Sequence, residues 1–208
     1  MNILKILSRK FNTYIKTRNS QLLFYELSKK DYYENDCGLT FCKINQYFEL
    51  VAFSDQQGHS LDMLLNQECR NRFEKGSQMI VALSKGVWVS YGWIALEGEF
   101  WIAEIDKLIN INASSNNGVL FDFATREEYR GHGYYPELLK YILSQPYYIV
   151  KSLIYCYDSN ISSVRGIEKA GGILVARLNH YSDAAIFFKS YGMSQDGSKL
   201  KWLGLLYN

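Results

Sequence analysis

Between Val119 and Ile142 an apolar run passes through a glycine turn into a helical pattern, and this junction constrains the fold more than any other stretch of the chain. Val119-Leu120-Phe121-Asp122-Phe123-Ala124 has the composition of a strand buried on both faces. Tyr135, Leu138, Leu139, Tyr141 and Ile142 then recur at helical spacing, with Pro136 in the first turn, where a missing N–H costs little. The link between them reads Arg130-Gly131-His132-Gly133. Glycines at 131 and 133 let the backbone approach a ligand closely. The amides that open the helix have no helical acceptor and lie at the positive end of its dipole. Arg130 adds a charged donor at the entrance, and His132 a further one between the glycines. The turn therefore reads as a phosphate cradle. Glycine spacing of this kind also serves as a plain connection, so the surrounding pattern has to decide between the two.

Ser152-Leu153-Ile154-Tyr155-Cys156-Tyr157 reads as a second strand, and Asp158-Ser159-Asn160 as the cap of a helix over 161–170 closed by Gly171 and Gly172. Further strands are expected at Ile173–Leu178 and Ala185–Tyr191. Upstream, Leu22–Leu27, Leu39–Ile44, Met79–Leu83, Val87–Ala95 and Phe100–Ile105 read as strands, with hairpin turns at Lys85-Gly86 and Glu97-Gly98. Ser60–Phe73 reads as a helix with Leu61, Leu64, Leu65 and Cys69 inward. Asn112–Gly118 is a polar connection. The sum is a mixed α/β sheet with helices on both faces.

The residues Arg130-Gly131-His132-Gly133-Tyr134-Tyr135 resemble the Arg-x-x-Gly-x-Gly/Ala motif of the GNAT superfamily of acyl-coenzyme A-dependent N-acyltransferases. Asn160 through Gly171 resembles that superfamily's second conserved helix, in the same order and at the same separation. The resemblance extends over about residues 77–191 and reaches the first seventy by position only. It implies a mainly antiparallel twisted sheet with splayed central parallel strands, and acetyl-coenzyme A as cofactor. Carried over by position, it sets Arg130, Gly131, His132, Gly133, Tyr134 and Tyr135 at the pyrophosphate, and the backbone of Phe123 and Thr125 along the pantetheine arm. Asn160 falls near the thioester end. Two positions depart from the pattern. Tyr135 stands where a small residue usually closes the loop, and Ile167 where many members carry the tyrosine that protonates the leaving thiolate. Tyr157 is the substitute acid to test; otherwise the thiolate leaves unaided, or the protein binds the cofactor without turning it over.

An ammonium has no lone pair, so acyl transfer to an amine needs a group that removes a proton. Glu104 and Asp122 are the first candidates, each expected inside an apolar strand where burial would lift its pKa; Asp106 is third. A main-chain amide where the central strands part, that of Phe123, would polarise the carbonyl. The expected acceptor is a small-molecule amine, with an amino sugar or sugar nucleotide suggested only by relatives within the resembled family. The rival is a catalytically silent acyl-coenzyme A-binding module. ATP as ligand of the turn is disfavoured because no Gly-Lys-Ser/Thr follows it.

At 208 residues and 48% hydrophobic composition the chain can form one substantial core, read here as one domain over 1–208. A net charge of +2, with no basic run interleaved with aromatics in the body of the chain, argues against nucleic acid. Cys37, Cys42, Cys69 and Cys156 form no Cys-x-x-Cys pair and have no clustered histidines, so no metal site is expected and a reduced, cytoplasmic setting is. Residues 1–20 hold five basic side chains and no acidic one, with Leu4, Leu7, Phe11 and Ile15 on one helical face. Packing of that stripe on the core or on a partner subunit is preferred over docking on an anionic membrane surface. Oligomeric state, a homodimer included, is open.

Overall fold

Leu22–Leu27 is buried without interruption, the condition for a strand covered on both faces, and it forms β1 (Leu22–Ser28) inside the sheet. The computed structural model describes residues 20–35, 37–104, 107–111, 117–145 and 151–178. Within them, β2 (Thr40–Ile44), β3 (Gln78–Ser84), β4 (Val87–Ala95), β7 (Asn117–Thr125), β8 (Lys151–Tyr157) and β9 (Ile173–Leu178) join β1 in one sheet of order β2-β3-β4-β7-β8-β1-β9. Every neighbouring pair is antiparallel except β7 and β8, which run parallel. β5 (Gly98–Ile102) and β6 (Lys107–Ile111) form a separate hairpin. This is the mixed, mainly antiparallel sheet with a central parallel pair that the sequence leads one to expect.

Side-chain alternation divides the core between two faces. Leu23, Tyr25 and Leu27 of β1 and Leu120 of β7 face α3 (Tyr134–Ser144) and α4 (Ile161–Lys169), which contribute Leu138, Leu139, Ile142 and Ile167. On the other face, α1 (Tyr47–Gln56) and α2 (Gln67–Glu74) cover Met79, Val81 and Trp93 with Leu50, Phe53 and Phe73. Beside them the β5–β6 hairpin presses Ile102 and Ile111 against Phe24, Val119 and Leu153.

Several boundaries differ from the sequence reading. The helix expected over Ser60–Phe73 is a 3-10 turn at Asp62–Leu64 followed by α2, because Asn66 accepts a hydrogen bond from the Cys69 N–H at 2.9 Å and caps a fresh helix. α1 was not anticipated. It starts where Glu49 reaches back to the amides of Asn45 and Gln46, at 2.7 and 3.3 Å. The strand expected to run to Ile105 ends at Ile102, and the sequence reading missed its partner β6. Residues 1–19, Asp106, most of the Asn112–Gly118 connection and the strand expected at Ala185–Tyr191 lie outside the described residues.

β7 carries the irregularity that shapes the site. Tyr91 pairs with Ala124 and Trp93 with Phe121, so Asp122 and Phe123 together oppose Gly92 in a β-bulge. Asp122 adopts a φ of 49°, and the Phe123 ring lies across Gly92, where a Cβ would sit 2.0 Å from it. On its other edge β7 pairs with β8 only from Asn117↔Lys151 to Leu120↔Ile154. From Phe121 and Tyr155 onward the two strands part.

Candidate active site

The glycine turn folds as its residues demand. After a 3-10 turn at Glu127–Tyr129, Gly131 and Gly133 take φ values of 83° and 80°, the left-handed region that only glycine enters cheaply. Gly133 occupies the N-cap of α3, and no side chain caps that helix. Among the described residues, no acceptor meets the amides of Gly131, His132, Gly133, Tyr134 and Tyr135; the first to turn inward is Glu137 N–H, bonded to the Gly133 carbonyl at 3.2 Å. A Cβ built on Gly131 or Gly133 meets nothing within 4 Å, so the space outside the cradle is open. Five successive donors without an acceptor at a helix N-terminus suit a diphosphate.

The side chains of the turn are drawn back along it. Arg130 Nε donates to the Thr125 carbonyl at 3.3 Å, placing the guanidinium over the end of β7. His132 Nδ1 lies 3.2 and 3.1 Å from the carbonyls of Tyr129 and Arg130, which favours the tautomer with its proton on Nδ1, and the ring stacks on Tyr134 at 5.6 Å. Thr125 Oγ1 is 3.0 Å from Ser90 Oγ, which ties β7 to β4 below the loop. Tyr135 points the other way. Its ring packs 5.3 Å from that of Phe123 and so close over Gly166 that a Cβ there would come within 2.3 Å. The large residue in place of a small one is thus taken up by a glycine on α4, and the helix start keeps its open cradle. Burial pushes the Tyr135 phenol far up.

A cleft of about 630 Å³ occupies the gap where β7 and β8 part. Phe121, Asp122 and Phe123 line it from β7, and Tyr155, Cys156 and Tyr157 from β8. Tyr135 and Asn160 close it towards the glycine turn, while Arg72 and Glu104 approach from α2 and from the turn after β5. Asn160 caps α4, accepting from the Ser163 N–H at 3.2 Å. Of the residues singled out from the sequence, Phe123, Tyr135, Asn160, Glu104, Asp122 and Tyr157 line the cleft; Thr125 and the loop from Arg130 to Tyr134 are not among its lining residues, and the loop leads into it in the chain at Tyr135.

The two carboxylates occupy environments unlike those expected. Asp122 is not enclosed in an apolar strand: it sits on the bulge, its side chain is 44% exposed, and its carboxylate is ion-paired with Arg72. Arg72 also bonds Glu68 at 2.6 Å and lies over the rings of Trp93 and Phe121, at 5.1 and 5.3 Å. Glu104 stands in the turn beyond β5 and is partly exposed, not enclosed in an apolar strand, and it lines the cleft together with Tyr155. Ile167 is fully buried among core residues, facing away from the cleft. Cys156 lies in the cleft with its thiol pushed up to about 11, first by burial and then by Asp158 and Glu168. It stays a protonated, weakly nucleophilic thiol at neutral pH.

The sequence reading missed Arg72 and Tyr155. Tyr155 was accessible in principle, because strand alternation sets it on the same face as Tyr157. Arg72 carried no local signal, since its partner Asp122 is 50 residues away.

No protein-family model matches the chain, and no curated protein does. Solved structures similar to it include a GNAT-family acetyltransferase from Colwellia psychrerythraea, at 15% identity over 76% of this chain and 54% of that one, with a TM-score of 0.47. A conserved protein of unknown function from Staphylococcus epidermidis is 11% identical over 76% of this chain and 59% of that one, with a TM-score of 0.48. A GCN5-related N-acetyltransferase-like protein from Streptococcus suis is 16% identical over 82% and 65%, with a TM-score of 0.43. This chain spans between about half and two thirds of those structures. Among the described residues, no helix is long and apolar enough to cross a membrane, and no group of three or more His, Cys, Asp or Glu can hold a metal ion.

Proposed function

We propose that this protein binds acyl-coenzyme A and transfers its acyl group to the amine of a small molecule. The observation that carries the reading is the run of five amides from Gly131 to Tyr135 without an acceptor among the described residues, ending at Tyr135, which lines the cleft opened by the parting of β7 and β8. When bound, coenzyme A supplies an acyl group activated as a thioester. The amides of the turn hold the diphosphate, with Arg130 and His132 beside it. Main-chain groups of β7 at Phe123 and Thr125, beyond the last pair with β8, receive the pantetheine arm. Glu104 takes the proton that the acceptor's ammonium must lose before it can attack as the free amine, and Tyr157 protonates the departing thiolate. Asp122 serves the site as the anchor of Arg72. Cys156, kept protonated, offers no thiolate to compete for the acyl group, which favours direct attack by the amine over a covalent relay.

Two observations favour the second reading, a silent acyl-coenzyme A-binding module: Arg72 occupies Asp122, and Ile167 is sunk in the core. Release of free thiol from acetyl-coenzyme A separates the two readings, using amino sugars and sugar nucleotides as the first acceptors and then alkyl and aryl amines. The transferase reading predicts acceptor-dependent release well above the hydrolytic background. Saturable cofactor binding with no acceptor-dependent release across the panel would make the protein a binding module.

A further inference from the structure

The cleft carries its charge at one end. Towards the glycine turn its walls are Tyr135, Asn160 and Ser163, and β8 adds Tyr155, Cys156 and Tyr157, none of them a carboxylate or a cation. The charged lining side chains all come from α2 and its C-cap, from the β5 strand with its flanking turns, and from the β7 bulge. Five are carboxylates, against two cations, Arg72 and Lys75. Arg72 is already bound to Asp122 and to Glu68. That leaves Glu97, Glu99 and Glu104, with which no cation is paired among the described residues. An aromatic stands among them. Side chains alternate along β5: Phe100 packs inward, 4.8 Å from the Phe121 ring, and Ile102 joins the core, so Glu99 and Trp101 share the opposite face. Trp101 also lines the cleft, and it is 51% exposed, an indole that the core leaves half open. Glu97 reaches towards the end of α2, its Oε1 3.7 Å from where a Cβ on Gly76 would lie. Carboxylates beside an open indole suit an alkylammonium, which is drawn both by the charges and by the ring face.

From this polarity we infer that the acceptor is an alkylamine with at least two cationic groups: one nitrogen reacts at the fork, and a second ammonium rests against Glu97, Glu99 and the Trp101 ring. The inference rests on the transferase reading above and names its acceptor. The reacting nitrogen must shed its charge before it can attack, so a carboxylate wall that met this nitrogen alone would favour the form that cannot react. A second ammonium keeps its charge throughout, and binding it costs the chemical step nothing. The two ends of the cleft then divide the ligands by sign. The amides that open α3, with Arg130, take the diphosphate, and the carboxylate end takes the cation. A phosphorylated acceptor, a sugar nucleotide included, would bring its anion to that end, where Lys75 is the only cation not already bound to a carboxylate among the described lining residues.

Hexamethylenediamine, hexylamine and ε-aminocaproate test this, because they match in length and differ only in the charge at the far end. Thiol release from acetyl-coenzyme A gives kcat/KM for each at low and high salt, beside glucosamine and glucosamine phosphate, for the wild type and for Glu97→Gln with Glu99→Gln. Both glutamates are exposed, so the amides leave the fold in place, and calorimetry with coenzyme A checks the variant's cofactor site. Chemical-shift titration of the cofactor-free protein with the diamine and with hexylamine reads binding apart from turnover. The expected result is a kcat/KM for the diamine about tenfold or more above that for hexylamine, chiefly through KM, with the same order in binding and ε-aminocaproate last. The diamine's advantage shrinks as salt is added, and severalfold in the double variant. Equal kcat/KM for the diamine and hexylamine, a preference for ε-aminocaproate or glucosamine phosphate, or an advantage that the double variant keeps in full would overturn the inference and leave the transferase reading standing. A wild-type protein that binds coenzyme A and releases no thiol to any of these amines would remove both.

Discussion

Cys156 and Tyr91 show how enclosure sets the state of single residues around the cleft. Burial lifts the Cys156 thiol from 9.0 to about 11, and burial with the nearby Asp122 lifts the Tyr91 phenol from 10.0 to about 12. In the unfolded chain both groups lose their protons earlier, so above pH 9 the unfolded state binds fewer protons than the native one and stability falls as pH rises. Below pH 9 the two contribute no pH dependence of their own. The urea midpoint is therefore expected to decline between pH 9 and 12. A midpoint that stays flat across that window would show that these side chains reach solvent. At this scale the sequence was legible where a residue's role is set by its own backbone. Gly131 and Gly133 are needed because their φ values are 83° and 80°. It was not legible where the role depends on a distant partner: nothing near Asp122 announces Arg72.

Among the elements, the contact between α3 and α4 fixes the mouth of the cradle. Tyr135 at the start of α3 lies over Gly166 in α4, where a Cβ would fall 2.3 Å from the ring. Gly166→Ala is expected to destabilise the protein by roughly 1–3 kcal/mol through overpacking, and most of that loss should be absent when the same change is made in a Tyr135→Ala background. Additive losses in a four-way denaturation cycle would contradict a direct contact. Elements were legible in the sequence wherever apolar periodicity and turn chemistry agreed, as for β3, the Lys85-Gly86 turn, β4 and α3. They were not legible where a polar side chain redirected the backbone. Asn66 broke one expected helix into a 3-10 turn and α2, and Gln46 with Glu49 opened a helix whose apolar stripe is carried by only a few residues, among them Leu50 and Phe53.

In the whole molecule, the two irregularities of β7 create the functional surface. The bulge opposite Gly92 and the end of pairing after Leu120 open the middle of a sheet whose two faces are otherwise covered by helices and a hairpin. The family resemblance carried by the strand–turn–helix motif made the parting foreseeable in outline. The cleft's outer wall was not foreseeable, because α2 and the β5–β6 turn reach it through packing against the far face, with no local pattern in the sequence to mark it. The account stands on the unpaired amides after Arg130 gripping a diphosphate. Calorimetric titration with coenzyme A, and in parallel with pantetheine, tests this most directly in the wild type and in Gly133→Asp, whose added carboxylate would face the cradle. The account predicts saturable one-to-one binding of coenzyme A by the wild type, with affinity reduced by more than about tenfold both for pantetheine, which lacks the phosphates, and for Gly133→Asp with its circular dichroism unchanged. Equal affinity for the two ligands, or undiminished binding by Gly133→Asp, would contradict it.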